Sequence, residues 1–122
     1  MSRQAFPLFM DQPGAKLFTF AIDGSAVGAS AGTAGLDNRG LFLCTISKLL
    51  NVVTINWNVS FGDVPYIFFQ PNTGQLDTLV EITTKTASQL VFQTVLATDN
   101  SAVNDADLQV FVVGYNTTSF VS

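Results

Sequence analysis

Residues 52–59 read VVTINWNV, and their phase decides the fold. Val53, Ile55, Trp57 and Val59 fall on one side of an extended chain. Val52, Thr54, Asn56 and Asn58 fall on the other. A period of two is the pattern of a half-buried β-strand, whose successive side chains point to opposite faces. Residues 41–47 show the same phase, with Phe42, Cys44 and Ile46 against Leu41, Leu43 and Thr45. The connector between them, Lys48-Leu49-Leu50-Asn51, carries two leucines where turn chemistry favours polar residues. These leucines are expected to meet a neighbouring molecule or to fold back on the core.

Outward from this pair the chain keeps alternating. Strands are expected over 16–22, with Phe18, Phe20 and Ile22 in phase, and over 65–70, 79–86, 90–96 and 108–115. Within 79–86, Val80, Ile82 and Thr84 oppose Glu81, Thr83 and Lys85. Within 90–96, Leu90, Phe92 and Leu96 share a face. Residues 108–115 are apolar on nearly both faces, which predicts a central strand or one covered on its outer side. Turns are expected at 60–63, 71–75 and 87–88, and a polar loop at 98–106. No segment carries a capped helical period. Short strands separated by turn signals every 8 to 12 residues or so point to an all-β chain. The expected architecture is an antiparallel β-sandwich, jelly-roll-like, in a single domain, since 122 residues suffice for one core.

The stretch GSAVGASAGTAG, residues 24–35, interrupts this pattern. Too few residues precede it to form a domain. The expected division is an extended N-terminal arm over 1–15 and a sandwich over 16–122, with a flexible Gly/Ala/Ser-rich loop at 24–38. Two readings of that loop stand. It carries the first strand back to its own sandwich, or it lets residues 1–23 reach a neighbouring subunit.

Composition narrows the function. Hydrophobic residues make up 48% of the chain and charged residues 11%, against about 25% charged in an average soluble domain. So neutral a surface is expected either to be covered by other copies, as a dimer or trimer, or to be coated by Thr, Ser, Asn and Gln. The net charge is −4, and the only cations are Arg3, Lys16, Arg39, Lys48 and Lys85. Scattered cations on an acidic chain make no counterion-releasing patch, which argues against nucleic acid as a partner. No apolar run approaches the roughly 20 residues of a membrane-spanning helix, and no signal-peptide pattern is apparent at the N-terminus. A lone Cys44 allows no internal disulfide and fits folding in a reducing cytoplasm.

The chain has no histidine. That removes the usual neutral-pH base, the Ser-His-Asp and Cys-His arrangements, and His-based zinc sites. Cys44, in phase with Phe42 and Ile46, reads as a core residue. The glycine-rich stretch lacks the Gly-Lys-Ser/Thr ending of a phosphate loop. The group Asp99, Asn100, Asn104, Asp105 and Asp107 fails as a calcium loop, because Asn104 stands where Gly is required and Val110 where a bidentate Glu is required. Turn chemistry is the default reading of this group, and a looser calcium site at a sandwich end is the alternative. The reading is a non-enzyme with no catalytic, cofactor or metal residues. What remains is phenylalanine, eleven in all. Phe92 and Phe111 are expected in the core. Phe6, Leu8, Phe9, Met10 and Phe120 lie in terminal segments, and with Leu49 and Leu50 they are the candidate partner-contact residues; the alternative is that both tails fold back on their own body.

Residues 39–116 resemble small virion proteins of tailed bacteriophages. The features are an Arg39-Gly40 start, a strand pair over 46–58, a middle strand and a two-strand unit. A short Asp-containing loop then leads to a closing strand over 105–115. The resemblance implies a capsid cement or decoration protein, made in the host bacterial cytoplasm and bound to the major capsid protein on the outer surface of the virion. The same strand pattern is similar to H-type lectin domains and trimeric tail-fibre knobs. That implies an alternative, a receptor- or glycan-binding tip. The sugar site of those lectins is not carried over to this chain, and the aromatic candidates for such a role, if exposed, are Trp57, Tyr66 and Tyr115.

Overall fold

The structure is a computed structural model and describes residues 15–37, 44–59 and 61–115, with Ala15, Lys16 and Tyr115 described by backbone alone. The expected arm, and with it Phe6, Leu8, Phe9, Met10 and Phe120, lies outside the described residues.

Eight strands follow in order: β1 (Ala15–Ile22), β2 (Leu36–Asp37), β3 (Cys44–Leu49), β4 (Val52–Trp57), β5 (Tyr66–Pro71), β6 (Thr78–Lys85), β7 (Gln89–Leu96) and β8 (Leu108–Tyr115). They form two four-stranded antiparallel sheets, β2-β1-β8-β5 and β3-β4-β7-β6, packed as a β-sandwich. The first is called sheet A below and the second sheet B. Phe20, Ile22, Leu108, Val110 and Val112 of sheet A meet Cys44, Ile46, Val53, Ile55, Leu90 and Phe92 of sheet B in one core. Each such side chain, fully buried, contributes on the order of 1.5–3 kcal/mol. Phe69 of β5 lies against Phe92 of β7 with ring centroids 4.8 Å apart, which ties the two layers together.

The alternation at 52–59 is realised as expected: Val53 and Ile55 are buried, while Thr54 and Asn56 lie on the outer face. The strand ends at Trp57, whose ring packs edge-on against Phe20 and Phe61. Three expectations need correction. Lys48 and Leu49 belong to β3, so the β3–β4 hairpin turns on Leu50 and Asn51 alone. The alternation of 79–86 breaks at a bulge between Ile82 and Thr84. Thr84 therefore pairs with Val91 on the outer face rather than continuing the phase of Val80 and Ile82. Phe111 is half-buried on the outer face of sheet A, not in the core, because its neighbours Val110 and Val112 take the inward positions.

β1 runs beside β8 of its own chain over its full length, from Ala15↔Tyr115 to Ile22↔Leu108. The stretch 24–35 thus returns the first strand to its own sandwich, and it is fastened along the way. Asp23 N donates to Gly35 O, Lys48 N to Gly28 O, and Gly32 pairs with Ile46. Val27 is buried in the core. Two of its glycines are required by geometry. Gly35 sits at φ +86°, a left-handed conformation that side chains disfavour. A Cβ on Gly24 would stand 2.3 Å from the carbonyl oxygen of Ala106.

Candidate interaction surface

The polar chemistry comes first, because it shows what the acidic residues do. Lys48 reaches from β3 to the carbonyl of Gly24 at 2.6 Å and to the carbonyl of Asn104, with Asp105 at 3.7 Å. One ammonium thereby joins the glycine-rich loop to the loop before β8. Asp107 accepts from Gly24 N at 3.0 Å, and its own N–H donates to Gln75 Oε1 at 2.7 Å. Asp99 accepts from the hydroxyl and the N–H of Ser101, and Asp23 does the same with Ser25. The N–H and hydroxyl of Ser101 hold the Asp99 carboxyl below its ordinary value. The Ser25 hydroxyl does the same for Asp23, against a smaller opposing effect of burial. These are loop fastenings of the kind that aspartate and serine make in turns.

An open cleft of ≈ 480 Å³ has Asp23, Asp37, Asn72 and Asp107 on its walls. Asp23 and Asp107 on these walls are engaged with Ser25 and Gly24. Among the described residues, no group of three or more His, Cys, Asp or Glu could hold a metal ion. Cys44 is fully buried, and burial pushes its thiol up to about 12, so the nucleophilic thiolate is suppressed. Among the described residues, no helix is long and apolar enough to cross a membrane.

The apolar surface is more informative. Leu49 and Leu50 are 72% and 69% exposed at the tip of the β3–β4 hairpin. Leu50 also takes φ 57°, the left-handed region that Gly and Asn enter readily and that costs other L-residues roughly 1–2 kcal/mol. A large apolar residue therefore occupies a position for which neither its conformation nor its burial selects it. Of the sequence-derived contact residues, these two are the ones within the described residues, and they do not fold back on the core.

A second apolar surface was not singled out from sequence. The outer face of sheet A stacks Leu17, Val113 and Tyr66 in one row across β1, β8 and β5. Thr19, Phe111 and Phe68 form the next row, and Ala21, Gln109 and Gln70 the third. None of these nine residues is charged; Asp37 of β2 stands at the far corner beside Ala21. Tyr66 and Phe68 are 62% and 58% exposed. The two-sided apolarity of 108–115 was the signal for this face. Its consequence needed the register, which places aromatic residues of β5 beside it.

Comparison with family models, with curated proteins and with solved structures finds no match. The surface must be read from its own chemistry. Trp57, a candidate for stacking on sugar, is packed edge-on against Phe20 and Phe61 and is only partly exposed. Tyr66 is presented; the side chain of Tyr115 lies outside the described residues.

Proposed function

We propose that the chain is a non-enzymatic structural virion protein, a capsid cement or decoration protein. In this reading it is made in the host bacterial cytoplasm and assembles as a dimer or trimer. It docks through apolar contacts on the outer surface of the major capsid protein. The observation that carries the docking role is the hairpin tip, where Leu50 holds a disfavoured conformation while exposed beside Leu49. Backbone strain at an exposed residue points to a role outside the stability of the body. A leucine side chain that a partner's pocket encloses gains on the order of 1.5–3 kcal/mol from burial. The capsid as partner follows from the resemblance over residues 39–116 to small phage virion proteins.

The test is cosedimentation of the purified protein with expanded capsids that lack it. Saturable binding at fixed stoichiometry is expected. The double variant Leu49→Asp/Leu50→Asp is expected to lose at least tenfold in affinity while keeping its unfolding transition. Absence of binding by an intact oligomer rejects the capsid reading. A glycan-binding fibre tip is the second reading, supported by Tyr66 standing exposed on an open sheet face that carries Gln70 and Gln109 two rows away. Binding to a glycan array that Tyr66→Ala abolishes, without capsid binding, favours it.

A further inference from the structure

The edges of the two sheets are finished differently. β2 is only two residues long. The edge of β3 is occupied by the glycine-rich loop: Gly32 and Ile46 exchange N–H···O bonds, and Lys48 N donates to Gly28 O. β6 carries Glu81 and Lys85 and a bulge between Ile82 and Thr84. Short length, cover, charge and bulges are the devices by which sheets avoid adding strands. β5, the remaining edge, has none of these. Its run YIFFQP is uncharged and in unbroken register with β8. Its one proline, Pro71, stands at the end, where it limits the length of a pairing without forbidding it.

The register fixes which backbone groups β5 leaves open. Asn72 N donates to Asp107 O, one step beyond the pair Pro71↔Leu108. In an antiparallel ladder alternate residues turn both N–H and C=O to the same neighbour. Counting back from Asn72, Gln70, Phe68 and Tyr66 turn theirs to β8, and Ile67 and Phe69 turn theirs outward. Pro71 faces outward too but has no N–H, and neither has Pro65 just ahead of the strand. The open edge therefore offers two donors, Ile67 N and Phe69 N, placed evenly about Phe68 and closed off by a proline on either side. Among the described residues no other strand takes them.

An edge with this symmetry fits a second copy of itself. Antiparallel pairing about a two-fold axis at Phe68 sets Ile67 opposite the partner's Phe69, and both then give and receive a hydrogen bond. Proline meets proline, so no donor is left over. Phe68 faces its own copy in a non-hydrogen-bonded pair, where side chains stand closest. A two-fold contact brings a patch against itself, which would oppose like charges, and this strand has none. Tyr66 and Phe68 bring roughly 180–300 Å² of exposed aromatic surface to the joint on each copy. So short a strand falls below the roughly 800 Å² per partner of a standard interface, so the pair is weak and depends on concentration.

We propose that β5 pairs with β5 of a second copy about a two-fold axis at Phe68, joining two copies of sheet A into one continuous sheet. The proposal does not rest on the capsid reading: the sheet edge carries it, and its test uses the isolated full chain.

Sedimentation velocity from about 5 to 500 µM is expected to show a monomer–dimer equilibrium with a midpoint on the order of 10–100 µM. Phe68→Lys and Phe68→Glu alter an exposed position, and each is expected to shift that midpoint at least tenfold toward monomer, because like charges then face each other. An equimolar mixture of the two variants is expected to restore the dimer, which a general loss of apolar surface would not do. Crosslinking reads the register. Oxidised Phe68→Cys is expected to form a disulfide-linked dimer several-fold faster than Tyr66→Cys, whose two copies would stand roughly 13 Å apart along the strands. Cys44 is enclosed in the core and stays out of the exchange. The proposal is overturned if the chain stays monomeric throughout the range or forms a trimer. It is equally overturned if the charged variants dimerise as the parent does, if their mixture restores nothing, or if Phe68→Cys crosslinks no faster than Tyr66→Cys.

Discussion

The two outer faces of this sandwich are built on the same plan and filled differently. On sheet B the outward rows are Thr45–Asn56–Gln89 and Ser47–Thr54–Val91–Thr84, followed by Leu49–Val52–Gln93–Glu81. Gln89 donates to Asn56 across β4 and β7 at 3.3 Å, and Gln93 to Glu81 at 2.7 Å. That face has a polar coat, neutral but for Glu81, of the kind expected of a sheet that meets water, with Leu49 and Val52 at the hairpin tip. On sheet A the rows Leu17–Val113–Tyr66 and Thr19–Phe111–Phe68 are apolar but for Thr19. The scarcity of charge in the sequence thus has two causes. Thr, Asn and Gln coat one sheet, and an uncharged apolar face occupies the other.

The comparison can be broken at several points. The largest effect belongs to the inward side. Phe92→Ala empties a fully buried position between the sheets and is expected to cost about 3–5 kcal/mol in urea denaturation. Next comes the contrast between the faces. Phe68→Ala, at 58% exposure, is expected to cost about 1 kcal/mol, whereas Thr54→Ala on sheet B should stay within about 0.5 kcal/mol. Equal costs would erase the distinction drawn here. At the hairpin tip Leu50→Gly relieves the left-handed strain against the entropy of a glycine. The expected change is between zero and about 1 kcal/mol of stabilisation. A clear loss of stability would show that Leu50 serves the body after all.

The smallest effect is acid dependence, and it should come from the loops rather than either face. Asp23 and Asp99 have folded-state values below the ordinary 3.8. A depressed carboxyl contributes stability that is present above its unfolded value and is lost as pH falls through the folded one. Stability attributable to them should therefore be level above about pH 5 and decline below pH 4. In Asp23→Asn/Asp99→Asn that part of the decline should be smaller, as read from thermal midpoints between pH 3 and 7.

Much of this was legible in order of sequence because it depends on local phase. The strands at 16–22, 52–59 and 90–96 announce themselves by alternation, since a side chain's face follows from its parity along an extended chain, and those at 65–70 and 108–115 by short apolar runs between turn signals. The exposed leucines at 49 and 50 were legible for the same reason, as apolar residues out of place in a turn. The bulge at Ile82/Thr84 was not, because an extra residue in one strand is defined only against its partner. β2 was missed too. Two residues carry no period, and Leu36–Asp37 becomes a strand only by lying beside Ala21 and Ile22.

By itself, the sequence determined the fold class, the absence of histidine chemistry and the inward set around Ile55 and Phe92, because parity and composition are properties of one strand at a time. Tertiary structure alone decided which strands are neighbours. Register across β1, β8 and β5 set Leu17, Tyr66, Phe68, Phe111 and Val113 on one face, although they come from three distant parts of the chain. It also turned Lys48 from a turn residue into the fastening of two loops. Side-chain direction is local, but the surface that those side chains form together depends on pairings between strands far apart in sequence.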